Sequence, residues 1–173
     1  KPFQKSETPF SIRTAVVRQG SLLNGTFRID GPPERLDIPA PVHQGGFADD
    51  LWKGTCFELF LGRPGSSEYF EYNFSPSGQW AAYRFSENRK RAPWNPPPPT
   101  LRWAGLNLNW AIDLRELNPD GAHGDWEAGL TTVLKELNGS LSYWATHHPA
   151  EKPDFHDRRG FTVRLPAEKV GTS

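Results

Sequence analysis

The sequence predicts a single domain of the all-β class, built as an antiparallel β-sandwich. About ten short segments alternate apolar and polar residues with the period of a β-strand, and turn residues separate them. Seventeen prolines and 16 glycines suit many tight connections, and no segment keeps a helical period for more than a turn or two. The length of 173 residues is that of one domain.

The elements follow in chain order. Residues 12–18 and 22–30 predict a hairpin around Gly20, and residues 86–100 predict an extended proline-rich loop. The domain is predicted to span residues 1–173, with its folded core at about 12–165. Further strands are predicted at 106–114, 126–134, 141–146 and 161–165.

The segment 55–85 predicts three neighbouring strands, the last two joined by a type I turn at Ser75-Pro76-Ser77-Gly78. Alternation predicts a buried face made of Phe57, Leu59, Leu61, Phe70, Tyr72, Phe74, Ala81, Tyr83 and Phe85. The other face then carries Cys56, Glu58, Phe60, Tyr69, Glu71, Asn73, Trp80 and Arg84. From other segments, the predicted core adds Leu108, Trp110, Ile112, Leu130 and Phe161.

The second face has the side chains that recognise sugars. Aromatic rings stack against the C–H faces of a sugar, and planar amide, carboxylate and guanidinium groups bind paired hydroxyls. We therefore predict that a sugar is hydrogen-bonded by Glu58, Glu71, Asn73 and Arg84 and stacks on Trp80 or Trp52. A solvent-facing sheet with ordinary cross-strand ion pairs is the alternative.

Two carboxylates on one face also raise the question of glycoside hydrolysis. That reaction needs one carboxyl group whose pKa is raised so that it can act as an acid. The sequence shows nothing that would raise the pKa of Glu58 or Glu71, and no nucleophile motif or phosphate loop is found. The prediction is a protein that is not an enzyme.

A histidine-rich segment precedes the last predicted strand. Imidazole and carboxylate groups suit zinc or another divalent cation, so a metal site at His147, His148, Asp154 and His156 is one hypothesis. The other is a structural loop whose side chains bind backbone groups. The spacing fits no established zinc pattern.

Composition argues against several partners. Twenty basic residues balance 20 acidic ones, so we expect no nucleic-acid partner. No apolar run is long enough to span a membrane, and the first residues contain no signal peptide, so a cytoplasmic location is expected. The single cysteine, Cys56, is expected to be buried and inert. The oligomeric state is left open.

Three strings of the sequence are similar to a known group of proteins. TCFELFLG, EYNFSPSGQWAAYRF and SYWATHHPAEKPDFHDRRGF resemble an uncharacterised bacterial branch of the DOMON-like proteins, which are related to family 9 carbohydrate-binding modules. The resemblance covers about residues 12–165. It implies an immunoglobulin-like or jelly-roll-like β-sandwich that binds sugars in some relatives and haem in others.

The resemblance also bears on individual residues. Family 9 modules hold a sugar between two tryptophans; Trp52, Trp80, Trp94 and Trp144 are candidates, and Glu58 resembles the acidic residue that begins their central strand pattern. The haem-binding relatives use Met and His as axial ligands, and this sequence contains no Met.

The sequence therefore predicts a non-catalytic module that binds a mono- or oligosaccharide and needs no cofactor. Two alternatives are left open. One is a protein that binds haem or a divalent metal, and the other is a scaffold that recognises a protein through the proline-rich loop.

Overall fold

The protein is a sandwich of two antiparallel sheets, as predicted. The computed structural model describes residues 1–3, 9–120 and 123–167, and these contain eleven strands and one short α-helix, α1 (Leu114–Leu117). The strands are β1 Ser11–Gln19, β2 Leu22–Asp30, β3 Cys56–Gly62, β4 Tyr69–Phe74, β5 Trp80–Glu87, β6 Lys90–Ala92, β7 Thr100–Ala104, β8 Asn107–Asp113, β9 Trp126–Lys135, β10 Leu141–Ala145 and β11 Val163–Leu165. Short 3₁₀ turns lie at Pro33–Arg35, Leu51–Lys53 and Arg158–Gly160.

The two sheets differ in size. The four-stranded sheet has the order β1-β2-β8-β7, and the seven-stranded sheet has the order β10-β9-β3-β4-β5-β6, with β11 paired to β9. Chain neighbours are mostly sheet neighbours, because tight turns join antiparallel strands directly. No helix among the described residues is long and apolar enough to cross a bilayer.

The core lies between the sheets and follows the predicted alternation on β3, β4 and β8. Their inward side chains are almost fully buried and pack together. This set is Phe57, Leu59, Leu61, Phe70, Tyr72, Phe74, Leu108, Trp110 and Ile112, joined by Leu130 of β9.

The side chains of β5 point to the opposite faces of the sheet from those predicted. The predicted type I turn is present, since the Gly78 amide donates to the Ser75 carbonyl at 3.0 Å, but Gly78 then adopts a φ of +87° and adds a bulge residue. Trp80 is consequently paired with Phe74, where a two-residue loop would have paired it with Asn73. One residue of register exchanges the two faces of a strand.

The predicted faces of β5 are therefore wrong. Ala81, Tyr83 and Phe85 lie on the outer face of the seven-stranded sheet, and Trp80 packs toward the core between the sheets. Phe161, which we predicted in that core, also lies on the outer face. There it contributes to a second apolar cluster with Phe60, Tyr69, Ala81, Tyr83 and Phe85.

The outer face of the seven-stranded sheet is covered by the chain segment that connects β10 to β11. Strand β10 pairs with the end of β9, at Thr131–Lys135, and β11 pairs with its beginning, at Trp126–Ala128. The connecting residues 146–162, here called the roof segment, cross the sheet between these two points. This cover explains why β3 and β4 are buried on both faces.

The predicted loop 86–100 is partly structured. It contains β6, and its last residue begins β7, a strand that the prediction missed. Trp94 packs against Phe70 and Tyr72 of the core, with ring centroids 5.1 and 6.1 Å away. This contact anchors the proline-rich segment to the sandwich.

Candidate functional site

A cavity of about 630 Å³ opens on the outer face of the seven-stranded sheet, beneath the roof segment. Its volume lies within the range of small-molecule sites. It combines aromatic rings with charged groups. The lining residues are Trp52, Glu58, Phe60, Glu71, Tyr83, Phe85, Arg89, Arg91, Val133, Tyr143, Lys152, Pro153, Phe155 and His156.

The register of the central strands brings two carboxyl groups to the floor of the cavity. Glu58 of β3 is opposite Asn73 of β4, and Phe60 is opposite Glu71, so the two glutamates are diagonal neighbours on one face. Gly129 on β9 and Ala81 on β5 are small residues in the same cross-strand rows. The absence of a side chain at Gly129 makes room for the Phe161 ring, which lies 3.1 Å from where a Cβ would be.

Glu58 is almost completely buried, with 3% of its surface exposed. It accepts a hydrogen bond of 3.0 Å from the Thr131 hydroxyl. Burial, with the nearby charge of Glu71, raises the pKa of Glu58 to about 8, although the Thr131 hydrogen bond acts in the opposite direction. At neutral pH this side chain is a carboxylic acid that can donate a hydrogen bond.

Glu71 is held by a short chain of buried polar groups. The Asn73 amide donates to Glu71 at 2.6 Å, and the Cys56 thiol lies 3.5 Å from the Asn73 carbonyl oxygen. Burial raises the pKa of Glu71, while the Asn73 hydrogen bond and the arginines Arg91 and Arg89 lower it. Of the two floor glutamates, Glu71 is therefore the one with neighbouring cations that favour its carboxylate form.

His156 extends from the roof segment into the cavity. Its Nδ1 lies 2.8 Å from the Tyr69 hydroxyl, which also accepts a 3.0 Å hydrogen bond from the Arg89 amide. Since the hydroxyl accepts from Arg89, its own hydrogen is available to Nδ1, and the ring proton then belongs on Nε2. That nitrogen faces Glu71 at 3.7 Å, too far for a direct hydrogen bond.

His156 is uncharged at neutral pH. Burial is the main cause that lowers its pKa to about 4, and the positive charges of Arg89 and Arg91 act in the same direction. The rings of Phe60 and Phe85 contact it edge-on, at 5.3 and 5.1 Å between centroids. The uncharged ring of His156 thus presents its Nε2–H, a hydrogen-bond donor, to Glu71 on the floor of the cavity.

The rim of the cavity carries aromatic and cationic side chains. The Arg91 guanidinium lies 3.8 Å from the centroid of Tyr83, and the Tyr83 hydroxyl donates to Asp49 at 2.6 Å. Trp52 is 49% exposed. The Lys53 ammonium lies 5.5 Å from the centroid of this ring, and the exposed part of the ring can stack on a ligand.

The predicted sugar-binding residues fall into three groups. Trp52, Glu58 and Glu71 line the cavity, and their contribution to sugar binding stays a prediction. Asn73 is 1% exposed and orients Glu71 from behind instead of lining the cavity.

Trp80 and Arg84 are on the wrong face because of the Gly78 bulge. The Arg84 Nε atom donates to Glu68 at 2.8 Å, and the Trp80 ring contacts Phe47 edge-on at 5.5 Å between centroids. Neither contributes to the cavity.

Several lining residues were missed by the sequence analysis. Arg89 and Arg91 lie in the charged run after β5, which reads as a solvated loop, and their position depends on the β5–β6 hairpin. Tyr143 and Phe155 contact each other at 6.2 Å between ring centroids but are far from the central strands in sequence. The alternation of β10 and the aromatic Phe155 beside His156 were the available signals.

The structure separates the four residues of the predicted metal site. The Asp154 carboxylate accepts from Arg89 at 2.8 Å, and the His148 Nε2 atom contacts the Lys1 carbonyl at 3.1 Å. His156 is engaged with Tyr69. Over residues 1–3, 9–120 and 123–167, no three His, Cys, Asp or Glu side chains converge on a point where they could hold a metal ion. The described residues therefore give the metal hypothesis no support, and the contacts of this segment are those of a structural loop.

Comparison with known proteins identifies a structure with a similar fold. No protein-family model matches the chain, and no curated protein sequence is significantly similar to it. The chain is similar to a protein from Bacteroides uniformis whose crystal structure carries the name "putative carbohydrate-binding protein". The TM-score is 0.69 at 14% identity, over 92% of this chain and 79% of that one. The two chains share a β-sandwich fold.

Proposed function

We propose that this protein binds a carbohydrate, without catalysis, in the cavity of the seven-stranded sheet. The observation that carries the proposal is the juxtaposition of Glu58, Glu71 and His156 on the floor with aromatic rings at the rim. A sugar needs both, because its hydroxyls require donors and acceptors and its C–H faces favour aromatic rings.

The floor offers complementary hydrogen-bonding groups. Protonated Glu58 and the Nε2–H of His156 donate, and Glu71, whose carboxylate form is favoured by Asn73 and the two arginines, accepts. A hydroxyl both donates and accepts, so it can bond to Glu71 and to one of the donors together. Trp52 supplies a ring for stacking at the rim.

Two similarities support the proposal without assigning a ligand. The fold is shared with the Bacteroides uniformis protein, whose name refers to carbohydrate binding. Three strings of the sequence resemble family 9 carbohydrate-binding modules and DOMON-like proteins. A haem role is disfavoured by the absence from the sequence of Met, an axial ligand in the haem-binding relatives.

Calorimetric titration of a panel of mono- and disaccharides tests the proposal. Wild type is compared with Glu71→Gln and Trp52→Ala, and each variant has a control away from the cavity, Glu34→Gln and Leu137→Ala. We expect binding by the wild type, a loss of about tenfold or more in the two cavity variants, and no change in the controls.

Three results contradict the proposal. Failure of every sugar to bind removes its basis, and binding that survives both cavity substitutions moves the site elsewhere. Release of nitrophenol from nitrophenyl glycosides that stops in Glu58→Gln would contradict the non-catalytic assignment, since a buried carboxylic acid beside a carboxylate is also a hydrolytic pair.

A further inference from the structure

The charged groups of the cavity are separated by depth. The acidic residues of its described lining, Glu58 and Glu71, lie at the floor with 3% and 6% of their surfaces exposed. The basic residues Arg89, Arg91 and Lys152 are all exposed at the rim. Any ligand therefore meets positive side chains first.

Two of these cations have no carboxylate partner among the described residues. Arg89 donates to Asp154 at 2.8 Å, so its charge is compensated. No Asp or Glu within residues 1–3, 9–120 and 123–167 forms an ion pair with Arg91 or Lys152. The charges of Arg91 and Lys152 are available to a ligand.

Arg91 is also held in one orientation. Its guanidinium lies over the Tyr83 ring at 3.8 Å, and Tyr83 is fixed by its 2.6 Å hydrogen bond to Asp49. A guanidinium stacked in this way keeps the donors on its edge free for a planar, two-point hydrogen bond. A carboxylate fits that edge.

The side chains at the floor of the cavity carry little negative charge to balance the cations at its rim. Glu58 is protonated and His156 is uncharged at neutral pH, so Glu71 is the one floor residue of the described lining whose charge could oppose the rim cations. Apolar walls strengthen the field of charges at a cavity entrance. The two rim cations without an ion-pair partner, Arg91 and Lys152, therefore favour an anionic group on the ligand.

We propose that the bound sugar is acidic, with a carboxylate held by Arg91 and Lys152 and hydroxyls that reach Glu71 on the floor. The inference rests on the proposed carbohydrate-binding function and narrows it to one ligand class, sugars of the uronic acid type. Neutral sugars can fill the same cavity, but they leave both rim cations without a partner.

Paired titrations test the inference. Glucose is compared with glucuronate, and galactose with galacturonate, by calorimetry at pH 7 and low salt. We expect each acid to bind about tenfold more tightly than its neutral parent, and Arg91→Gln to reduce that preference to about twofold or less. Arg102→Gln removes an exposed arginine from β7 of the opposite sheet and should keep the preference.

Lys152→Gln is the second variant, and it keeps the test valid if Arg91→Gln does not fold. It should reduce the preference for the acid several-fold. Glucose 6-phosphate and acetate complete the panel. Weaker binding of both than of the uronates supports a carboxylate presented on a sugar.

Each contrary result has a distinct meaning. Neutral parents that bind as tightly as the acids overturn the acidic ligand but leave carbohydrate binding standing. If glucose 6-phosphate binds more tightly than the uronates, the preferred anionic group is not a carboxylate. If acetate binds as tightly as glucuronate, the sugar ring does not contribute to the affinity. No binding by any sugar overturns the proposed function itself.

Discussion

At the scale of single residues, the chemistry of the site depends on where protons reside. Glu58 and His156 line the same cavity, and burial is the main cause of both pKa shifts, in opposite directions. Burial disfavours the charged form of each group, so both side chains are neutral at pH 7. The effect of each pKa shift on stability can be measured without a ligand.

Glu58→Gln should stabilise the protein at alkaline pH. The pKa of Glu58 is about 8 in the folded chain, and its ordinary value is 4.5. Between pH 4.5 and pH 8 the folded state therefore keeps a proton on Glu58 that the unfolded state has released. The free energy of unfolding of the wild type therefore falls as pH rises from 4.5 to 8. We expect the variant to be more stable by about 2 kcal/mol or more at pH 9 and by less than about 1 kcal/mol at pH 5.

Urea unfolding at the two pH values measures this difference. Glu34→Gln, at an exposed carboxylate, is the control and should shift little at either pH. An equal change in the free energy of unfolding at pH 5 and pH 9 would show that Glu58 is ionised in the fold.

The imidazole of His156 should stay neutral well into the acidic range. Its pKa is lowered to about 4, so its ring-proton chemical shifts should be constant from pH 8 to about pH 5. The unfolded state takes up a proton below its ordinary pKa of 6.5, so His156 costs stability as pH falls from 6.5 to 4. An NMR titration checks this, with His156→Gln for assignment; a midpoint near 6.5 would contradict the buried position of the ring.

At the scale of elements, one glycine decides which side of β5 faces the site. Gly78 has a φ of +87°, where a residue with a Cβ is strained. Gly78→Ala should lower the free energy of unfolding by about 1 kcal/mol, measured by urea unfolding. Gly46→Ala is the matched control, because a Cβ there meets open space and its φ is not in the left-handed region. Equal effects in the two variants would contradict the importance of the bulge.

The roof segment should depend on Phe161. This ring is 4% exposed, packs on Phe60 at 5.6 Å between centroids, and lies 3.1 Å from where a Cβ of Gly129 would be. Phe161→Ala should cost about 3 kcal/mol of stability and weaken sugar binding, since His156, Phe155 and Lys152 belong to the same segment. Hydrogen exchange should speed up in residues 146–162 more than in β2; uniform acceleration would argue against a separable roof.

Prediction from sequence succeeded where alternation decides the outcome. The inward residues of β3, β4 and β8 were found because a strand with one apolar face has only one way to bury it. It failed at β5, because Ser75–Gly78 matches a type I turn whether or not a bulge follows. It also missed Arg91 and Tyr143, whose arrival at the cavity depends on strand pairing across the whole sheet and leaves no local pattern.

At the scale of the whole molecule, ligand binding should raise the melting temperature. A ligand that binds only the folded state adds about 2.7 kcal/mol when its concentration is one hundred times its Kd. For a chain of 173 residues this corresponds to a rise of roughly 5–10 °C. Differential scanning calorimetry with the tightest-binding sugar checks the effect. Arg91→Gln, which we expect to weaken binding about five- to tenfold, should lose about a third to a half of this rise at the same sugar concentration. A rise unaffected by that substitution would contradict the site.

The course of the roof segment has a consequence for specificity. Ala145 pairs with Thr131 and Val163 with Ala128, so both ends of the segment are pinned to one strand three residues apart, roughly 10 Å along it. A different insert of suitable length could span the same two anchor points without altering strand pairing. Replacing this segment is therefore expected to change the proposed binding site while the two sheets stay intact.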